Sequence, residues 1–350
     1  MSKPYSIGPI TGLLKPKYRV INAVLGDGFV PMNGLDVFID LNTLVHALSS
    51  SNKFMSSLPF SENVEADIVS NLLMTLKHWK DFTKRWNDVR IFMIVNDFEM
   101  GGLPEQKILN AYLVPYLHKF QQDRYKQFVY YWTESIKMVE IVLKYVPNSY
   151  LIHCNRFDSY VLPNLLDEYK PGGRYRIIIS GNSLFTNYCY MPNTSVMYTR
   201  YKGISNGMCQ LSDPLMICQS ISKIDDDIMR AFTQNKVFYN LLNMIIGDSE
   251  RGIIGLTQLG ITNFAMELLR SVEQRTIPED PKSIEAVLPA VNANYHDYLK
   301  KSYPLVDIDT HTGLIPESII AKVKSEMIDL YDIDGLRSFN VQGLNLLELL

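Results

Sequence analysis

Short apolar runs recur along the first part of the chain, and each ends in small or polar residues. The clearest run, Ile177 to Ile179, passes directly into Ser180 and Gly181. This is typical of a strand that is buried on both faces of a parallel sheet and then opens into a loop. Similar runs predict further strands over residues 35–39, 89–95, 149–153 and 195–201. The pattern favours an α/β fold with a mostly parallel sheet flanked by helices.

Helical periodicity fills much of the remaining chain. Apolar positions three and four residues apart predict a helix that begins at residue 61. They predict further helices over residues 135–145, 160–169, 236–246, 262–269, 295–301 and 316–330. The connection over residues 203–224 shows neither period, and from about residue 274 the chain is expected to be helical and loop-like, ending in an apolar tail over residues 344–350. Glycines at 252, 255 and 260 join two of these helices into a helical hairpin whose backbone could approach a phosphate closely.

Composition narrows the class of protein. The 350 residues are 47% hydrophobic and 20% charged, which is typical of a folded soluble protein with a large core. The formal net charge of −3 gives no overall attraction to nucleic acid, so any such contact must come from a local patch. The four cysteines show no metal-binding spacing and are expected to be reduced thiols. They are Cys154, Cys189, Cys209 and Cys218.

Neither a secretory signal nor a membrane span is expected. The first 34 residues are interrupted by prolines at 4, 9, 16 and 31, and no uncharged apolar run approaches membrane length. Three segments are predicted: an irregular arm over residues 1–34, an α/β core over residues 35–230 with an insertion over about 98–132, and a helix-hairpin region with a helical C-terminal extension over residues 231–350.

Acidic residues follow two of the predicted strands. Asp40 comes directly after the run at 35–39, and Asp97 follows the run at 89–95. Carboxyl ends of parallel strands meet at one edge of a sheet, so these carboxylates could hold a cation there. Asp40 could equally cap the helical stretch that begins at Leu44. Asp225 to Asp227 also form an acidic cluster, which favours a helix N-terminus over a metal site.

The insertion interleaves cations with aromatic residues. Its cations are Lys107, Lys119, Arg124 and Lys126. Such a segment suits nucleic acid, since rings stack on bases and cations neutralise phosphates. A pair of amphipathic helices with aromatic core residues would give the same pattern.

Five short motifs resemble one known family when they are taken in order. They are Ile-Asp-Leu-Asn at 39–42, Val-Asn-Asp at 95–97, Arg-Phe-Asp at 156–158, Ile-Ser-Gly-Asn-Ser-Leu-Phe at 179–185 and Ile-Gly-Asp-Ser-Glu-Arg-Gly-Ile-Ile-Gly-Leu at 246–256. Over roughly residues 33–350 the chain resembles the 5′-nucleases that include flap endonucleases, and especially their bacteriophage RNase H branch. The resemblance implies a PIN-like core, a helical arch, a helix-hairpin that grips duplex DNA, and cleavage of DNA or RNA/DNA flaps with two divalent metals.

The resemblance also assigns a metal site, and this chain departs from it at four positions. Matching acidic residues are Asp40, Asp97, Asp158 and Asp248, whereas Arg156, Asn182, Leu184 and Arg251 stand where carboxylates are expected. In the hairpin loop Gly255 and Gly260 match, while Thr257 and Gln258 differ. Mg²⁺ requires near-octahedral oxygen ligation, which a leucine and two arginines do not supply.

The leading interpretation is therefore a catalytically degenerate 5′-nuclease homologue that is not expected to need a cofactor. The second metal position is expected to be lost, whereas at the first position either an ion remains on three aspartates or the Arg156 guanidinium takes its place. It would serve as a nucleic-acid-binding or scaffold subunit, with protein partners in a larger phage assembly, in the cytoplasm of an infected bacterium or in the virion. One alternative is an active nuclease that holds a single Mg²⁺ or Mn²⁺ on Asp40, Asp97 and Asp158. The other is a purely structural protein-binding subunit.

Overall fold

The structure is a computed structural model that describes about a third of the chain. The described residues are 33–41, 88–96, 136–137, 139–140, 148–154, 163, 173–180, 183–199, 209–211, 232–246, 255, 264–309, 340–341 and 344–345. The predicted helices over residues 61–79 and 316–330, the predicted insertion over 98–132 and nearly all of the predicted arm lie outside them.

Six strands form the central sheet of the described chain. They are β1 (Leu35–Asp40), β2 (Val89–Asn96), β3 (Ser149–Cys154), β4 (Tyr175–Ser180), β5 (Thr194–Thr199) and β6 (Cys209–Leu211). Their order is β3-β2-β1-β4-β5-β6, and all neighbouring pairs are parallel except β5 and β6. The predicted α/β class with a mostly parallel sheet is confirmed. Strand β6 falls within residues 203–224, where the sequence shows no clear pattern.

Burial on both faces explains why the inner strands read as continuous apolar runs. In β1, Leu35, Val37 and Ile39 lie on one face of the sheet and Phe38 lies on the other. All four side chains are fully buried. Phe38 stacks on its register partner Phe92 with ring centroids 4.7 Å apart, and Phe92 stacks in turn on an aromatic ring of β3 at 5.2 Å. Three neighbouring strands are thus tied together by aromatic contacts on one face of the sheet.

Three α-helices follow the sheet in the described chain: α1 (Lys236–Ile246), α2 (Phe264–Glu273) and α3 (His296–Val306). Helix α1 matches its predicted bounds, while α2 and α3 continue past residues 269 and 301, where they were expected to end. The side chain of Asn235 accepts hydrogen bonds from the backbone N–H groups of Val237 at 2.8 Å and Phe238 at 3.3 Å, which caps α1. None of the helices among the described residues combines the length and the apolar character that a membrane span needs.

Short elements complete the described chain. There are 3₁₀ helices at Ser183–Tyr190, Ile284–Ala286, Leu288–Ala290 and Ala293–Tyr295, and an antiparallel hairpin of β7 (Asn340–Val341) and β8 (Leu344–Asn345). The hairpin corrects the prediction that the chain after residue 274 is only helical and loop-like. Strands of two residues are too short to show an alternating pattern, so the apolar tail gave no signal for them.

A continuous buried cluster joins one sheet face to the helices. It contains Phe92 and Ile178 from the sheet together with Leu242 of α1, Leu268 of α2 and Leu299 of α3. Polar contacts support the same packing. The side chains of Thr186 and Tyr239 share a hydrogen bond, and the Tyr190 hydroxyl donates to the backbone carbonyl of Thr233 at 2.7 Å. The 3₁₀ helix after β4 is therefore fixed against α1, whereas the predicted segment boundary at residue 231 stays a prediction.

Left-handed residues precede four of the parallel strands. Gly34, Asp88, Asn148 and Asn193 have φ angles of 97°, 53°, 55° and 50°. Their backbone carbonyls accept hydrogen bonds from neighbouring strands; for example, Asn148 O accepts from Ile91 N at 2.9 Å. Glycine, asparagine and aspartate tolerate this conformation better than other residues, which explains their recurrence just before the strands.

Replacing Asn148 with alanine should lower the free energy of unfolding by about 1 kcal/mol, because alanine disfavours the left-handed backbone at this position. Asn148 is exposed, so the substitution removes little packing. Urea denaturation of the full chain measures the change. Asn148→Gly is the matched control and should stay within about 0.5 kcal/mol of the native protein. Equal losses for alanine and glycine would contradict the backbone explanation.

Candidate functional site

The strand order reverses between β1 and β4. From β1 the sheet continues through β2 and β3 on one side, while β4 and β5 lie on the other side. Open α/β sheets bind their ligands in the crevice at the carboxyl ends of the strands, at such a switch point. The carboxyl ends of β1 and β4 are thus the candidate site, and this is the edge at which the sequence predicts acidic residues.

Asp40 and Ser180 face each other across this switch point. Asp40 is the last residue of β1 and Ser180 the last of β4, and the Ser180 hydroxyl donates to Asp40 Oδ2 at 2.7 Å. Ser180 is fully buried and Asp40 half-buried, so the carboxylate is partly exposed at the carboxyl end of the sheet. The sequence singles out Asp40 but gives Ser180 no role. Its position at the end of an apolar run marks it as a strand-end residue, but the strand order that brings it to Asp40 is seen only in the structure.

Of the other predicted site residues, the structure describes only Leu184 and Gly255. Leu184 belongs to the 3₁₀ helix after β4, although only its backbone is described, and Gly255 is buried. The remaining predicted residues lie outside the described part of the chain: Asp97, Asp158, Asp248, Arg156, Asn182, Arg251, Lys107, Lys119, Arg124, Lys126 and Gly260. By chain position Asp97 directly follows β2 and Asn182 is the second residue after β4, so both adjoin the candidate site in sequence.

The described residues do not by themselves form a metal site. Within them, no three histidine, cysteine, aspartate or glutamate side chains lie close enough together to hold an ion. Mg²⁺ prefers six oxygen ligands, whereas Asp40 supplies one carboxylate with an oxygen already bonded to Ser180.

Replacing Ser180 with alanine should lower the free energy of unfolding by about 1–2 kcal/mol, because the hydroxyl bonds to a carboxylate in a half-buried place. Chemical denaturation measures the loss. Ser195→Ala is the matched control, because Ser195 is also fully buried but its hydroxyl pairs with the neutral Tyr175 hydroxyl at 2.5 Å. A loss at Ser180 no larger than at Ser195 would show that the Asp40 contact contributes little.

A buried charge cluster lies at the opposite, amino-terminal edge of the sheet. The Asp36 carboxylate, which is fully buried, accepts from Arg90 Nε at 2.8 Å and Nη2 at 2.6 Å. Arg174 donates to Asp36 Oδ1 through Nε at 3.0 Å and Nη2 at 2.7 Å, and its Nη1 pairs with the Asp88 carboxylate. Burial alone would lower the Arg174 pKa, but the hydrogen bonds and charge of Asp36 outweigh it and raise the pKa.

This cluster stabilises the fold away from the candidate site. It links β1, β2 and the start of β4 at the end of the strands remote from Asp40. A Cβ at Gly34 would collide with the Arg174 guanidinium, which leaves glycine as the residue that fits beside it. The sequence interpretation missed the cluster, although a charged residue at the second position of β1, at the second position of β2 and directly before β4 is a visible signal.

A second group of polar residues joins α1 to the end of α3. Lys236 Nζ lies 3.1 Å from Asp307 Oδ1 and 2.6 Å from Asp309 Oδ2. The buried Asn240 amide donates to Asp307 Oδ1 at 3.2 Å and to the Tyr303 hydroxyl at 3.3 Å. Burial and the Asp307 charge raise the pKa of Tyr303, so this hydroxyl keeps its proton further into alkaline solution than an ordinary tyrosine does. A cavity of about 480 Å³ adjoins these residues, and the sequence gave no indication of it.

Comparisons with known proteins give likenesses of fold. No family model matches the sequence, and no curated protein matches it. Among solved structures the chain is similar to the T5 5′-exonuclease with bound zinc, at 12% sequence identity and a TM-score of 0.47. The match covers 85% of this chain and 100% of that chain. It is also similar to the T5 D15 protein co-crystallised with metal ions, with 11% identity, the same coverage and a TM-score of 0.46. The chain is similar as well to a mutant of the T5 5′-exonuclease, at 10% sequence identity and a TM-score of 0.41. That match covers 86% of this chain and 100% of the mutant chain.

Proposed function

We propose that this chain is a catalytically degenerate 5′-nuclease homologue that binds nucleic acid as a scaffold subunit of a larger phage assembly. The observation that carries the proposal is the loss of carboxylates at four positions that match the family's metal ligands. They are Arg156, Asn182, Leu184 and Arg251. The scaffold motifs around them are kept in order, and Asp40 stands at the switch point of a parallel sheet.

The charges of the matching residues favour an arginine over a metal. Two Mg²⁺ ions need several anionic ligands. Arg156 instead brings a fixed positive charge to one of the positions that match those ligands. Its guanidinium can satisfy carboxylates such as Asp40 and Asp158 with paired hydrogen bonds. Under this proposal the salt bridges between Arg156 and the aspartates take the place of the metal ions. The aspartates then stabilise the fold and do not bind a metal.

Nucleic-acid contacts are assigned to the insertion and the hairpin loop. Lys107, Lys119, Arg124 and Lys126 lie among aromatic residues in the insertion, and Gly255 and Gly260 match the family's phosphate-approaching loop. Because the overall net charge is −3, binding depends on this local set of cations and should weaken as salt concentration rises.

Substitution of Asp40 by alanine should leave nucleic-acid binding nearly unchanged, with a Kd within about twofold of the native value. The reason is that a structural carboxylate without a metal makes no contact with the ligand. Fluorescence anisotropy of the full chain with a labelled 5′-flap DNA and a matching RNA/DNA flap measures binding, once in EDTA and once in Mn²⁺. Within each buffer the variant and the native chain should bind equally, and neither substrate should be cleaved.

Control variants separate this proposal from its two rivals. Lys107→Ala with Arg124→Ala should weaken binding and flatten its salt dependence, which shows that the assay reports on the insertion. Mn²⁺-dependent cleavage that Asp97→Ala abolishes would establish an active single-metal nuclease instead. Absence of nucleic-acid binding even at low salt would favour a purely structural, protein-binding subunit.

A further inference from the structure

We draw no further inference here: the strongest candidate, the cavity of about 480 Å³ beside the N-terminus of α1, which Lys236, Asp307 and Asp309 line, rests on an acidic cluster next to a helix N-terminus, and nothing in the described part of the chain shows what would bind there.

Discussion

Replacing Asp36 with alanine should lower the free energy of unfolding by about 3–5 kcal/mol, because it removes the fully buried carboxylate that the largely covered Arg90 and the buried Arg174 share. The Arg90 and Arg174 side chains are only 19% and 10% exposed, so water cannot readily replace the lost partner. A guanidinium has no accessible neutral form, and both charges would stay buried in the variant. Urea denaturation followed by circular dichroism measures the loss.

Two further variants test whether burial of the pair causes this effect. Asp309→Ala removes a carboxylate that also bonds a cation, Lys236, but its side chain is 64% exposed. It should therefore cost less than about 1 kcal/mol. Asp36→Asn keeps the shape of the side chain and should fall between the two alanine variants. A loss at Asp36 no larger than at Asp309 would contradict a stabilising role for the cluster.

Strands and helices that depend on local pattern could be predicted from the sequence. Strands β1, β2 and β4 are buried on both faces, so each is a nearly continuous apolar run with clear ends. Helix α1 is buried almost all round, so it reads as a nearly continuous apolar run, and Gly247 marks its end in the sequence. In these elements the tertiary environment and the local pattern agree, and local reasoning was sufficient.

Elements that depend on distant partners could not be predicted. The cluster around Asp36 needs Arg174, which is 138 residues away in the chain, so only the fold brings these charges together. Strand β6 has three residues and exists because β5 offers an open edge. Its short length gives no period for a sequence pattern to detect.

The candidate site shows the same division. Asp40 could be predicted because it ends a strand whose apolar run is obvious. The contact of Ser180 with Asp40 could not, because it requires β4 to lie beside β1 although β2 and β3 come between them in the chain. The sequence thus identifies which side chains stand at strand ends, and the strand order decides which of them meet.

Restoring carboxylates at the four altered positions should raise Mn²⁺ affinity at least about 100-fold over the native chain. The restoring substitutions are Arg156→Asp, Asn182→Asp, Leu184→Asp and Arg251→Asp. They replace two cations and two uncharged side chains with anionic oxygen ligands. If the proposed scaffold is kept, these oxygens converge on one cation. Isothermal titration calorimetry with the full chain measures the affinity, and flap cleavage in Mn²⁺ is the second measurement.

A matched variant separates a specific site from a general increase in negative charge. Lys137→Asp, Arg275→Asp and Lys301→Asp change the net charge by the same amount at exposed positions outside the cavity beside α1, so they should raise Mn²⁺ affinity only slightly. Equal affinities for the two variants would mean that the four positions do not converge, and the proposal of a degenerate nuclease site would fail. Tight Mn²⁺ binding by the native chain would instead favour the single-metal enzyme. An affinity gained only by the restored variant would identify carboxylate loss as the change that removed the metal site.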